Sequence, residues 1–324
     1  MSEPVSPVRV EVLTQLQAHG IVSEYITYPR VTFSSASRLC VRHSPPGDSS
    51  RQSLTLLDPR ASPKEDQAPP NWTLHHVQGA LANPSCPLLA VRAGQLAQVY
   101  DVDQRSLRYQ WEFAHPIEYW VWLNADILAV VTEEDVFHWT VKRSGPSWQF
   151  SRHERLCGME VVGYQRDASH MWMALSALGL EQFHVVELGP HQPGNAALLS
   201  ARDTLPFKGT QLGDFPSAVQ FLPHLGVVVI LTKHAFLFLA DVETAQTIHR
   251  IHLVLDILFA TVLDDERPHS LLGVCRSGKV LSISICPYAL CQYISHHPTS
   301  LCLSQRVLQL VGQIPAPQKA ISVE

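Results

Sequence analysis

Short apolar runs recur along the chain, each closed by a polar or glycine-containing turn and followed by a second apolar run. The pairs are residues 38–42 with 54–57, 88–94 with 97–102, and 127–131 with 136–141. Three more follow: 171–175 with 183–188, 227–232 with 236–242, and 271–275 with 280–285. Runs of this length, rich in Val, Ile and Leu and bounded by turn residues, predict strands, and each pair predicts a hairpin. Their cores lie roughly 40 to 55 residues apart, about the length of chain one four-stranded blade consumes. The pattern therefore predicts an all-β β-propeller with six visible blade units. Inner strands, buried on both faces, are expected to read as continuous apolar runs, and the outer strand to lose the signal. A β-sandwich is the second architecture, but its turns should fall every ~8–12 residues without the larger period.

Three segments depart from the repeat. Residues 10–19, followed by Gly20, have a helix-compatible composition and predict a short helix or turn before the first blade. Residues 44–70 are rich in Pro, Ser, Asp and Arg and predict an extended loop around one strand. Residues 287–312 lose the strand pattern and gain a spacing compatible with two short helices around Pro298, so the propeller should end near Ile285. The resulting division is a propeller over 1–286, a helical linker beginning at 287–313, and a disordered tail over 314–324.

With 324 residues, 46% hydrophobic and 16% charged, the chain has enough apolar material for a core. Its formal charge of -5, from 24 basic and 29 acidic residues, argues against nucleic acid as a partner. No stretch reaches the ~20 apolar residues of a spanning helix, so no direct membrane insertion is expected. The first residues lack the basic and apolar regions of a secretory signal, which points to the cytoplasm and to reduced thiols for the seven dispersed cysteines. Asn71-Trp72-Thr73 fits the glycosylation pattern but would need the secretory route.

Candidate chemistry is sparse. Gly273 to Lys279 spells G-x-x-x-x-G-K, yet Val280 stands where a Mg²⁺-binding Ser or Thr belongs and a strand follows, so it reads as a hairpin turn. Cys286, Cys291, His296 and His297 could in principle surround zinc, but no C-x-x-C pair anchors them, and helix thiols beside surface histidines are the plainer reading. Despite 17 histidines there is no nucleophile elbow, no H-E-x-x-H and no useful carboxylate pair. We expect no catalytic residues, no metal and no cofactor, and the chain does not read as an enzyme.

Certain residues carry a likeness that pattern alone does not. They include Leu89-Ala-Val-Arg-Ala-Gly94, Gln98-Val-Tyr100, Ala129-Val-Val-Thr132 and Val136-Phe-His-Trp139. They continue with Tyr164-Gln-Arg-Asp-Ala168, Asp214-Phe-Pro-Ser-Ala218, Ile230-Leu-Thr-Lys233 and Gly273-Val-Cys-Arg-Ser-Gly-Lys-Val-Leu-Ser282. Collinear from about residue 7 to about residue 300, they resemble the N-terminal β-propeller, or terminal domain, of the clathrin heavy chain. Two departures stand out. The family has seven blades, whereas residues 172–183 join the start of one blade to the end of the next, implying six blades or a distorted seventh. The chain also stops after the first linker helices, which suggests a divergent clathrin-heavy-chain-like protein without the leg. On that reading no clathrin light chain partner is expected, and the chain should be a monomer.

The resemblance implies a non-catalytic hub that binds short linear peptides of endocytic adaptor proteins, on the cytoplasmic side and at clathrin-coated vesicles or pits. Its groove between the first two blades takes an extended acidic and hydrophobic peptide, the clathrin box. By alignment this groove falls on Leu89, Arg92, Leu96, Gln98, Tyr100, Arg105 and Leu107, with Arg108 adjacent. Gln98 matches the family's amide, Tyr100 replaces a Phe and Arg105 a Lys. Leu96 stands for a Thr and Leu107 for a second Lys, for which Arg108 is the available compensation, so weaker or altered specificity is expected. A top-face site corresponds to Tyr28, Glu160 and Val162, where Glu160 adds a charge in place of a Gln. A further family groove belongs to the omitted blade and is expected to be absent. Two readings of function stay open: a peptide-binding module in clathrin-mediated transport, or a propeller scaffold that lost peptide binding and docks another protein. The plain structural alternative for the groove residues is outer-strand packing beside a solvated basic face.

Overall fold

A computed structural model describes residues 6–28, 30–43, 51–62, 71–143, 145–152, 160–166, 172–177, 184–189, 214, 216–222, 225–241, 247–253, 256–267, 269–296, 305 and 307–309. The strand-turn-strand recurrences become antiparallel sheets arranged as a propeller. The first holds β2 (Val31–Ser35), β3 (Arg38–His43), β4 (Arg51–Leu57) and β5 (Asn71–His75) in sequence order. The second holds β6 (Gly79–Ala82), β7 (Leu88–Ala93), β8 (Leu96–Asp101) and β9 (Ser106–Glu112). The third holds β10 (Tyr119–Trp122), β11 (Ile127–Val131), β12 (Asp135–Thr140) and β13 (Trp148–Ser151).

Then come three strands, β14 (Glu160–Arg166), β15 (Trp172–Ala177) and β16 (His184–Gly189). A four-stranded sheet follows: β17 (Pro216–Leu222), β18 (Val227–Thr232), β19 (Phe236–Asp241) and β20 (Thr247–His252). The last comprises β21 (Leu258–Leu263), β22 (Ser270–Cys275) and β23 (Lys279–Ile285), and its fourth strand is β1 (Val8–Gln15), from the other end of the chain. Five blades of four strands are thus complete among the described residues. Residues 178–183 and 190–213 lie outside them.

Two expectations need correction. Residues 10–15 form no helix: Val8, Val10 and Val12 alternate with polar residues, a period-two pattern, and pair in register with Ile285, Ile283 and Leu281. Only Leu16–His19 winds, as a 3₁₀ turn closed by Gly20 at φ 78°. The continuous apolar runs are the two middle strands of each blade, as in β18 and β22, which are buried throughout. Innermost strands vary: β6 is buried throughout, whereas β10 buries only Trp122.

The core lies in wedges between sheets. Cys40, Leu54, Leu89 and Val91 join the first sheet to the second. Ala97, Val99, Trp122, Leu128 and Trp139 join the second to the third, and Ala129, Val131, Val161 and Tyr164 join the third to the next. Phe33, Leu39, Val41, Leu272 and Val274 join the first sheet to the last. At contributions of ~1.5–3 kcal/mol per buried large side chain, these wedges set the blade-to-blade geometry.

Polar pins add register. Thr32 Oγ1 donates to the Ala80 carbonyl (2.8 Å) and Asn83 Nδ2 to that of Ala125 (2.8 Å). Gln165 grips Phe221 twice, donating to its carbonyl and accepting from its N–H at 2.9 Å each. Gly163 lies so close to the Val219 carbonyl that a Cβ there would sit 3.0 Å from it.

After β23, α1 (Pro287–His296) buries Leu290 and Ile294 against the last two sheets. Val307, in a helical stretch, joins the same cluster, while 297–304 and 310–324, including the tail, lie outside the described residues. No described helix is long and apolar enough to cross a membrane.

Candidate functional site

Directly paired residues of an antiparallel ladder share a face, so the β7/β8/β9 register assigns each groove residue a side. Leu89 pairs with Tyr100, Val91 with Gln98 and Ala93 with Leu96; across the next ladder Tyr100 pairs with Leu107 and Gln98 with Gln110. Leu89, Leu96, Gln98, Tyr100 and Leu107 therefore share the face that looks toward the first sheet, where Leu89 and Tyr100 pack with Cys40, Leu54, Leu56 and Leu74. Leu89 is buried, Tyr100 and Gln98 are half-buried, and Leu107 is 44% exposed. The face is thus apolar and buried at Leu89 and open at Leu107.

Its polar groups form a chain. The Tyr100 hydroxyl donates to Gln98 Oε1 (3.1 Å) and Gln98 Nε2 donates to Gln110 Oε1 (3.3 Å). Burial raises the Tyr100 pKa, so the hydroxyl keeps its proton and acts as a donor. The Tyr100 hydroxyl thus orients the Gln98 amide.

The cations divide. Arg105 sits in the β8–β9 turn at φ 51°, exposed and without an ion pair among the described residues. Arg108 is the extra residue of a bulge opposite Val99 and Tyr100, and its guanidinium is engaged by Asp101 Oδ2 (3.0 Å) and Gln104 Oε1 (2.6 Å). Arg92 pairs with Ala97 and Gly79, which puts it on the opposite face of the sheet, away from Gln98. There it donates to the Ile117 and Glu118 carbonyls and lies 5.9 Å from the Trp120 ring centre.

Arg92 is one of a set. Arg42 Nη1 donates to the Val77 carbonyl (2.5 Å), Arg92 to that of Ile117, and Arg276 to that of Ile26. In each case an arginine at the end of a blade's second strand holds the carbonyl of the segment leading into the next innermost strand. Val41-Arg42, Val91-Arg92 and Val274-Cys275-Arg276 carry the signal in the sequence, visible once the repeats are stacked. In the third sheet the buried Arg152 bonds the Thr132 and Glu133 carbonyls and the Glu118 carboxylate (3.1 Å).

The top-face residues meet in a second place. Tyr28, Glu160 and Val162 line a central cavity of about 890 Å³ walled by the innermost strands, with Arg92 and Trp120 near its rim. Tyr28 is 66% exposed because it projects into open space between the walls. Enclosure by those walls and then the charge of Glu160 raise its pKa.

The described thiols are not poised as nucleophiles. Burial pushes the Cys40 and Cys275 thiols up to about 12, so they remain protonated at neutral pH. Among the described residues no group of three His, Cys, Asp or Glu side chains could hold a metal ion; His297 of the proposed ligand set lies outside them. The G-x-x-x-x-G-K stretch is the β22–β23 hairpin, with Gly278 at φ 93°.

No protein-family model matches the chain. Among curated proteins it is 26% identical to the clathrin heavy chain of Dictyostelium discoideum over 332 residues, 86% of this chain and 19% of that protein. It is 24% identical to the clathrin heavy chain of Drosophila melanogaster over 349 residues (91% and 20%). It is 23% identical to clathrin heavy chain 2 of Homo sapiens over 336 residues (87% and 20%). The matches thus span about a fifth of the length of these relatives. Among solved structures, the β-propeller domain of Myceliophteria thermophila Cps50 (Swd1) superposes with a TM-score of 0.42 at 13% identity, over 62% of this chain and 64% of that one, too loose a likeness to argue from. The chain thus combines a β-propeller with a sequence similar to clathrin heavy chains over 86–91% of its length, and it resembles a divergent form of their terminal-domain propeller.

Proposed function

We propose that the chain is a peptide-binding module of clathrin-mediated vesicle transport, taking clathrin-box-type adaptor motifs in the cleft between the first and second sheets. The observation that carries this reading is the shared face of Leu89, Leu96, Gln98, Tyr100 and Leu107, with the cation of Arg105, unpaired among the described residues, at its end. Apolar pockets for alternate side chains, a fixed amide for the backbone and a cation for an acidic residue are what an extended peptide requires. Because Arg92 and Arg108 are engaged elsewhere, specificity should shift toward peptides with fewer acidic residues. Cytoplasmic placement at coated vesicles, a monomeric state, independence from the light chain and a helical linker starting at 287–313 belong to the same proposal. A six-bladed ring also belongs to it, supported by Gly163 of β14 lying directly against Val219 of β17.

The test is titration of a fluorescent clathrin-box peptide into the purified chain, with Gln98→Ala and Arg105→Glu variants alongside. Saturable binding weakened about tenfold or more in both is the expected result. Absence of binding by a well-folded protein would favour the second reading, a scaffold for another protein, which the internal engagement of Arg92 and Arg108 already supports.

A further inference from the structure

The turn between β8 and β9 carries the cation that an acidic peptide would meet, and its backbone is held in an unusual shape. Arg105 has φ 51°, a left-handed conformation that a residue other than glycine keeps only where its surroundings impose it. A closed network of side chains surrounds it. Asp101 Oδ1 accepts from the Gln104 N–H (2.9 Å), so the carboxylate caps the turn where the chain leaves β8. Asp101 Oδ2 accepts from Arg108 Nη2 (3.0 Å) and Nε (3.3 Å), and Nη2 also donates to Gln104 Oε1 (2.6 Å). Asp101 and Gln104 precede Arg105 and Arg108 follows it, so the network spans the left-handed residue. Arg108 reaches back because the bulge opposite Val99 and Tyr100 takes it out of the regular ladder.

The network lies on the reverse side of the peptide cleft. Asp101 pairs with Leu88, which packs toward the third sheet, whereas its neighbour Tyr100 pairs with Leu89 on the cleft face. The Gln104 N–H first, and then Arg108, hold the Asp101 carboxyl below its ordinary pKa, so it stays ionised at neutral pH.

We propose that Asp101, Gln104 and Arg108 are positioning residues of the peptide cleft, fixing the left-handed turn that presents Arg105 to an acidic residue of an extended peptide. This role rests on the peptide-binding function proposed above. It makes the preference for an acid a property of a preorganised turn, because a backbone already in place spares part of the ordering cost of binding.

Two measurements on the full chain test this, using Asp101→Asn and Arg108→Met. The first is native-state trypsin cleavage after Arg105, normalised to cleavage after the exposed Arg143, and it needs no peptide. Both variants should be cut about threefold or more faster after Arg105. Unchanged rates would overturn the proposal. The second compares a clathrin-box peptide with an analogue carrying Gln at each acidic position. The parent should prefer the acidic peptide about threefold to fivefold and both variants less than about 1.5-fold, with affinity for the analogue held within about twofold. Asp101→Asn separates the turn from simple charge: removing a negative charge near Arg105 would by itself strengthen acid binding, whereas releasing the turn weakens it. A stronger acid preference in that variant, or an equal loss for both peptides, would overturn the proposal. Faster cleavage in the variants with no peptide binding by the parent would overturn the peptide-binding function, and this role with it.

Discussion

Arg92 shows how far a residue's role depends on the face it occupies. Aligned as a groove cation, it lies on the reverse side of its sheet and serves the junction to the third sheet, because a strand alternates sides with every residue. Arg152 makes the same kind of contribution with less solvent: its side chain is 0% exposed and it bonds two carbonyls and Glu118. Arg152→Met should therefore strand those acceptors and cost ~2–4 kcal/mol, read as a lower denaturant midpoint at unchanged slope. A loss below a few tenths of a kcal/mol would show that water replaces the clasp. Leu96, Gln98 and Tyr100 share a face because they are alternate positions of one strand, whereas their grouping with Leu107 came from the resemblance and its side from the ladder register. The capture of Arg108 by Asp101 was not legible in the sequence, because it depends on a bulge that register alone reveals.

At the level of elements, hairpins were the most legible feature and chain ends the least. Middle strands such as β11 and β22 are buried on both sides and so announce themselves as apolar runs. Innermost β10, with only Trp122 buried, and outermost β9, exposed along most of its length, carry no comparable run. The β22–β23 hairpin shows what a turn residue contributes. Gly278 has φ 93°, its carbonyl accepts from Leu16 N–H (2.8 Å), and a Cβ there would collide with the Gln17 amide. Gly278→Ala combines left-handed backbone strain with that collision and should cost ~1–3 kcal/mol, measured by thermal or chemical unfolding. Gly94 also has a positive φ of 62°, but its Cβ would meet nothing, so the same substitution there isolates the backbone part of the effect.

For the whole molecule the decisive element is β1, which comes from one end of the chain and completes a sheet whose other strands come from near the opposite end. It pairs with β23 from Val8 to Gln15, and Arg60 adds a second tie by bridging to the buried Asp264 (2.5 Å) and to Glu266 (2.6 Å). Removing residues 1–15 would leave β23 as an open edge above a buried row of Val280, Leu281 and Ile283. Such an edge invites pairing with other chains, so the truncated protein should melt at least about 10 °C lower and elute as aggregates in size-exclusion chromatography. A monomeric truncation of unchanged Tm would show that the ring closes without its strand. Period-two alternation in residues 8–12 was present in the sequence all along, but helix-compatible composition and distance from any hairpin partner hid it; a strand whose ladder lies some 270 residues away has no local signature. Local apolar patterning was enough to specify strands, turns and the propeller class, because each middle strand must be buried on both faces wherever it sits. Which arginines are free and which are spent, which strand closes the ring, and where cleft and cavity lie depend on register and on blade-to-blade contact, and these arise only when distant segments pack together.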